Sequence, residues 1–261
     1  MNIAFIGAGK MASAMAAGFI RSGCRAESIS AYDPVPEARA AFEKLTGART
    51  VAAPGELRAD CFVVAVKPQQ LGGAFDGVDA SGALVISIVA GASMEKIRLL
   101  SGSGAVIRVM PNTPALVGAA AGAYSATAEV SEEQMDAAAG LLAGCGKFFP
   151  LAESQLDAVT GLSGSGPAYV FHFIQALADG GVTAGLPRKV ALELAVATVA
   201  GSARLVAETG MHPIALADQV MSPGGTTACG VMTLSRAAFQ AACADAVIAA
   251  AEKSAELGKG R

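Results

Sequence analysis

The sequence predicts an α/β domain built on a mostly parallel, doubly wound sheet, followed by an all-α domain. Three observations carry that expectation. Up to about Leu151, short β-rich runs alternate with helical segments; several of those runs are nearly continuous in apolar residues; and after about Ala152 the strand patterns stop. Alternation implies a parallel sheet with helices on both faces, and strands covered on both faces lose their polar alternation. The expected domains are 1–151 and 152–261.

In the first domain, Asn2–Ile6, Ser28–Tyr32, Cys61–Val66, Leu84–Val89 and Ala105–Met110 read as strands, with helical stretches at Met11–Arg21, Glu37–Leu45 and Met94–Leu100. In the second, Pro167–Asp179, Pro187–Glu208, Pro213–Val220, Thr226–Ser235 and Ala237–Leu257 read as helices. Proline near the starts and glycine past the ends, at Gly180, Gly210 and Gly258, punctuate them.

Apolar residues make up 53% of the 261-residue chain and charged residues 16%, a low charged fraction that leaves apolar surface to be covered. The long uncharged stretches Val109–Ala128 and Ala158–Ala178 are interrupted by Pro111, Pro114, Gly164, Gly166 and Pro167, which argues against a membrane span. Tyr169–Leu177 is apolar almost all round, and Val190–Leu205 carries only Glu193 and Arg204 as charges. Helices without a polar face are buried on every side, which predicts an obligate homodimer through the second domain, with assembly beyond the dimer left open. A net charge of −3 and the lack of a Lys/Arg cluster argue against nucleic acid. Five scattered cysteines without a C-x-x-C pair read as reduced thiols in the cytoplasm, and no metal site is expected.

Directly after the strand ending at Ile6 comes Gly7-Ala8-Gly9-Lys10-Met11-Ala12, leading into a helix. This is the G-x-G-x-x-A form of the dinucleotide fingerprint of a Rossmann domain. Gly7 allows the tight turn, Gly9 the approach of a pyrophosphate, and Ala12 close helix–strand packing. Asp33 stands where the fingerprint expects a ribose-binding acid. Ala65-Val66-Lys67-Pro68, Val89-Ala90-Gly91 and the stretch holding Asn112 follow strands, where cofactor contacts belong; Lys67 also reads as a solvated charge and Asn112 as a turn former.

Further on, Gly224-Gly225-Thr226-Thr227 opens a helix just after Pro223. Unpaired backbone N–H groups at such a start make a carboxylate site, the alternative being an ordinary Thr cap. Gly164-Ser165-Gly166-Pro167 also reads as a turn opening a helix, equally consistent with substrate contact by Ser165 and Gly166 and with a simple helix start.

Gly7–Ala12, Ala-Val-Lys-Pro at 65–68, Met110–Pro114, Gly164–Tyr169 and Ser222–Thr227 occur in the order seen in pyrroline-5-carboxylate reductases, and the whole chain resembles that family. The resemblance implies a Rossmann domain and a helical dimerisation domain, with the active site formed between them and across the dimer. It implies reduction of 1-pyrroline-5-carboxylate to L-proline, the last step of proline biosynthesis. It places the catalytic Thr227 at the imine nitrogen, Gly225 and Thr226 at the substrate carboxylate, and Lys67, Pro68, Ala90, Gly91 and Asn112 along the cofactor. The resemblance implies NADP(H) as the cofactor, while Asp33, standing where many relatives carry a Ser, Thr or Arg compatible with a 2′-phosphate, leaves NAD(H) open.

Ketone reduction requires a proton donor for the developing alkoxide, whereas a cyclic imine is protonated before hydride arrives. The only histidines, His172 within an apolar helix and His212 before a proline, read as structural, so the residues suit an imine. The rival readings are another imine reductase, a β-hydroxyacid dehydrogenase and a non-catalytic NAD(P)-binding sensor. The second lacks its family's lysine on the helix at Tyr169–Leu177, and the third has no use for an anion-binding helix start.

Overall fold

The computed structural model describes residues 1–259. Eight strands form one sheet: β1 Ile3–Ile6, β2 Ile29–Tyr32, β3 Arg49–Val51, β4 Cys61–Val64, β5 Leu84–Ser87, β6 Val106–Met110, β7 Ala120–Ala126 and β8 Gly146–Pro150. Their order is β3-β2-β1-β4-β5-β6-β7-β8. Every pairing is parallel except β6 with β7, so β7 and β8 run against the rest. The strand order reverses at β1, which places the ligand crevice outside the carboxyl ends of β1 and β4.

The sheet carries α1 Lys10–Arg21, α2 Pro36–Thr46, α3 Met94–Ser101 and α4 Glu132–Ala143. Side chains alternate across a strand, and β1 shows the result. Ile3 and Phe5 enter one core with Ala12, Met15 and Phe19 of α1, while Ala4 and Ile6 enter the other with Phe62, Val64 and Leu71. Phe5 lies 5.8 Å from Phe19 and 5.7 Å from Phe42 between ring centroids, locking α1 and α2 to one face.

Beyond the predicted strands lie β3, β7 and β8. In β7, Ala120-Ala-Gly-Ala-Tyr-Ser-Ala, no residue is β-branched, so local propensity is silent and pairing to β6 and β8 makes the strand. The helix α4 between them starts at a Ser131–Gln134 capping box.

The chain separates into two compact units, one of 1–165 together with the chain from Val247 onward, the other Gly166–Ala246. In the first, α5 Leu156–Val159 passes directly into a π-helical turn, Thr160–Gly164. The π-helical turn ends at Gly164, Ser165 forms a bend and the next helix begins at Gly166, so the 164–167 stretch opens a helix as its glycines and proline suggest. Within the turn the Ser165 N–H is bonded to Thr160 O at 2.8 Å, five residues back, and just after it Pro167 has no N–H to offer the Ser163 carbonyl.

The second unit holds α6 Gly166–Thr183, α7 Arg188–Thr209, α8 Pro213–Gln219, α9 Thr226–Arg236 and the start of α10 Phe239–Lys259. Helix α6 runs through Gly180, where its end was expected. A Cβ on Gly181 would meet Ala191 Cβ of α7 at 3.2 Å, so glycine here serves the close approach of two helices. Gly210, with φ +64, does end α7 as expected. Helix α10 continues through Gly258 to Lys259.

Core formation within this unit is meagre. Only Ala191 and Ala195 are buried in the 22 residues of α7, while Phe171 is 62% exposed and Leu194 52% exposed. By length and mean hydropathy (1.6) α7 is also apolar enough to cross a membrane.

Candidate active site

The glycine loop is built by close packing. Gly7 has φ +101, and a Cβ there would lie 2.8 Å from Ala65 O, so only glycine fits between β1 and the loop after β4. Its N–H donates to Tyr32 O at 2.7 Å. Gly9 is the reverse case: a Cβ would meet nothing within 4 Å, because the residue faces an open cleft. Gly9 is also the N-cap of α1, with no side-chain cap and no acid in the first turn, so the N–H groups of Lys10, Met11 and Ala12 head an uncompensated helix dipole. Ala12 is fully buried and Met11 packs on the same core, which seats α1 against the sheet. Open space plus uncapped donors suits a pyrophosphate.

A cleft of about 390 Å³ lies here, lined by Ile6, Gly7, Gly9, Asp33, Ala65, Val66 and Lys67 among others. Asp33 is more than a wall of it. Its carboxylate accepts Ala8 N–H on Oδ2 at 2.9 Å and Val35 N–H on Oδ1 at 2.9 Å, while Arg39 donates to its carbonyl at 2.6 Å. The acid thus ties the glycine loop to the end of β2. Lys10 is exposed at the loop, and Lys67 lines the cleft with an exposed side chain.

A second cavity, of about 270 Å³, brings together Pro68, Ala90, Gly91, Thr160 and Ser165 with one face of α10 from Ala250 to Leu257. Helix α10 is held there by Ser254, whose hydroxyl donates to Asp157 at 2.6 Å, and by Gly161, whose Cβ would lie 2.4 Å from Val247 O. Asn112 lines neither cavity: it is 6% exposed and bonded to Ser163 and Ala121.

In the helical unit, Gly224 has φ +69 and Gly225 is the N-cap of α9. The cap carries no side-chain hydrogen bond, so Thr226 and Thr227 are the first two helical residues and neither serves as a Thr cap. Their hydroxyls make no hydrogen bond among the described residues. The first-turn N–H groups lack helical acceptors, the arrangement that favours a carboxylate. Gly166 opens α6 with open space where a Cβ would stand.

Neither histidine bears on these sites in its own unit. His212 Nδ1 caps α8 by accepting Ile214 N–H at 3.3 Å, and His172 is exposed on α6. Burial pushes the Cys61 thiol up to about 12, helped by Asp60 and Cys24, and burial likewise raises Cys145 to about 12, so neither is a nucleophile near neutrality.

Sequence reasoning missed Gln70, Asp76 and the α10 wall. Gln70 and Asp76 line the cofactor cleft, and Gln70 Oε1 accepts Lys67 N–H at 3.3 Å at the head of a 3₁₀ helix, Pro68–Gly73. Proline at a helix start with glutamine two residues on was a legible signal. The α10 wall had none, because its placement is tertiary.

Residues 153–257 match the family described as pyrroline-5-carboxylate reductase dimerisation, and residues 2–91 match the family described as NADP oxidoreductase coenzyme F420-dependent. The chain is 42% identical to a pyrroline-5-carboxylate reductase of Arabidopsis thaliana, over 99% of this chain and 96% of that protein. The chain belongs to the pyrroline-5-carboxylate reductase family. The Synechocystis member is 43% identical over 99% of each chain. The crystal structure of the Plasmodium falciparum pyrroline carboxylate reductase with NADP bound superposes with a TM-score of 0.89, at 33% identity, covering 99% of this chain and 98% of that one. The family's dimerisation segment takes in all of α6–α9, the helices whose apolar faces are exposed in the single chain.

Proposed function

We propose that this chain reduces 1-pyrroline-5-carboxylate to L-proline with NADPH, and accepts NADH as well. The observation that carries the reading is the start of α9: a glycine N-cap, uncapped N–H donors, and two threonine hydroxyls without partners among the described residues, in a chain of this family. The bound cofactor supplies hydride to the C=N carbon. The chain's own residues do the rest. Gly7, Gly9 and the α1 N-terminus hold the pyrophosphate, and Asp33 faces the adenosine ribose while fixing Ala8. Lys67, Pro68, Ala90 and Gly91 border the path toward the nicotinamide. At the start of α9, the N–H groups after Gly224 and Gly225 hold the substrate carboxylate, and Thr227 hydrogen-bonds the ring nitrogen. That nitrogen arrives already protonated as an iminium, so no side-chain acid is required in the hydride step.

The working form is a homodimer joined through the helices of 152–261, with 1–151 as the cofactor domain, and the enzyme acts in the cytoplasm. Support comes from the uncovered apolar faces of α6 and α7 and from five cysteines that remain free thiols. The deciding experiment is oxidation of NADPH and of NADH by purified protein with 1-pyrroline-5-carboxylate, proline being identified as product. Oxidation at the background rate with both cofactors, in folded protein, defeats the reading; binding of NADPH without turnover would favour a sensor.

A further inference from the structure

Asn112 occupies the N-cap position of a 3₁₀ helix, Thr113–Val117, where an asparagine ordinarily bonds its own helix start. It makes no such bond. The β6–β7 register pairs Met110 with Ala123, and two residues on it sets Asn112 opposite Ala121. Asn112 Oδ1 accepts Ala121 N–H at 3.0 Å, and its Nδ2 donates to Ser163 O at 3.0 Å. Ser163 is the residue whose carbonyl loses its helical donor to Pro167. The buried amide thus bridges strand β7 and the π-helical turn at the place where that turn departs from α-geometry.

The turn packs closely on its neighbours at both of its glycines. A Cβ on Gly164 would lie 2.5 Å from Met110 Cε, and one on Gly161 would strike the backbone of α10. Its last residue leads into Ser165, half-buried at the cavity lined by Pro68, Ala90 and Gly91, whose N–H donates to Thr160 O at 2.8 Å and whose hydroxyl makes no hydrogen bond among the described residues.

We propose that Asn112 is a positioning residue: it holds the π-turn in register so that Ser165 faces the nicotinamide end of the cofactor path, and it does not touch the cofactor itself. This rests on the reaction assigned above. A widened turn fixed by a buried amide is a two-ended constraint, and loss of either end lets Ser165 move by a fraction of a helical rise, enough to spoil alignment of reacting groups.

The test uses the full-length protein and two variants. Asn112→Asp keeps an acceptor for Ala121 N–H and removes the donor to Ser163 O. Pro167→Ala leaves Asn112 in place and restores a competing N–H for the same carbonyl. Amide hydrogen exchange at Ser165 reads the turn without reference to any reaction, and should quicken in Asn112→Asp. With wild-type turnover established first, kcat at saturating cofactor should fall by about tenfold or more in both variants, with the NADPH Kd held within about twofold. A large rise in Kd with kcat intact would overturn the proposal, since Asn112 would then be a cofactor ligand. Unchanged kcat in well-folded Asn112→Asp would overturn it as well, leaving a structural residue. Should Asn112→Asp fail to fold, Pro167→Ala decides: kcat lowered at constant Kd supports the proposal, and kcat unchanged refutes it. A wild type that quickens no imine reduction counts against the reaction alone, and Ser165 exchange still judges the clamp.

Discussion

The Asp33 carboxylate and the Ala8 N–H are joined by a hydrogen bond of 2.9 Å across the head of the cofactor cleft. One acid therefore does two things: it shapes the glycine loop, and it presents negative charge where the adenosine ribose is expected. These two roles separate experimentally.

Asp33→Ser removes the charge that repels a 2′-phosphate, so the ratio of kcat/KM for NADPH over NADH should rise. Because the tie to Ala8 is weakened too, KM for both cofactors should increase. Steady-state kinetics with each cofactor checks this, and an unchanged or lower ratio refutes the assignment.

Thr227→Ala should lower kcat/KM about ten- to a hundredfold, the worth of a hydrogen bond of roughly 1.5–3 kcal/mol to a charged iminium. NADPH binding and dimerisation should hardly change, because Thr227 caps nothing. Thr226→Ala is the control and should be mild, its contribution coming through the backbone. A loss of only two- to threefold at Thr227, or a larger loss at Thr226, contradicts the role.

Leu194 on α7 is 52% exposed in the single chain. If α7 lies in the proposed dimer contact, Leu194→Glu would bury a carboxylate there and should weaken dimerisation by on the order of a hundredfold or more. Sedimentation of wild type and variant at micromolar concentration reads the result. A wild type that is a stable, active monomer refutes the dimer outright.

Burial pushes the Cys61 and Cys145 thiols from their ordinary value of 9.0 up to about 12 in the folded chain. Between those limits the unfolded chain has lost protons that the folded chain retains, so stability is fully present below pH 9 and declines as pH rises. Each thiol contributes a slope of about 1.4 kcal/mol per pH unit. Urea midpoints from pH 8 to 11 should therefore fall less steeply in Cys61→Ala than in wild type; equal slopes would show that burial does not hold the thiol protonated.

Much of the cofactor half was legible in the sequence, because its determinants are local. Gly7 and Gly9 answer to backbone sterics within a few residues, and the apolar runs of β1, β4 and β5 record burial on both faces. The helix start at Thr226 followed from proline and glycine just ahead of it. Strands such as β7 carry no such record: an alanine-rich segment becomes a strand only when β6 and β8 offer it partners.

By itself the sequence determined the fold class, the dinucleotide loop, the glycine-threonine helix start and the surplus of apolar surface. The tertiary structure alone decided that Asn112 bonds Ser163 and Ala121, that Asp33 holds Ala8, and that α10 walls the cavity beside Gly91. The physical reason is range. Backbone conformation and amphipathic pattern depend on neighbours along the chain, whereas a buried amide or a half-buried carboxylate takes whichever unpaired donor or acceptor the packed chain brings to it, here across 9, 25 and 51 residues.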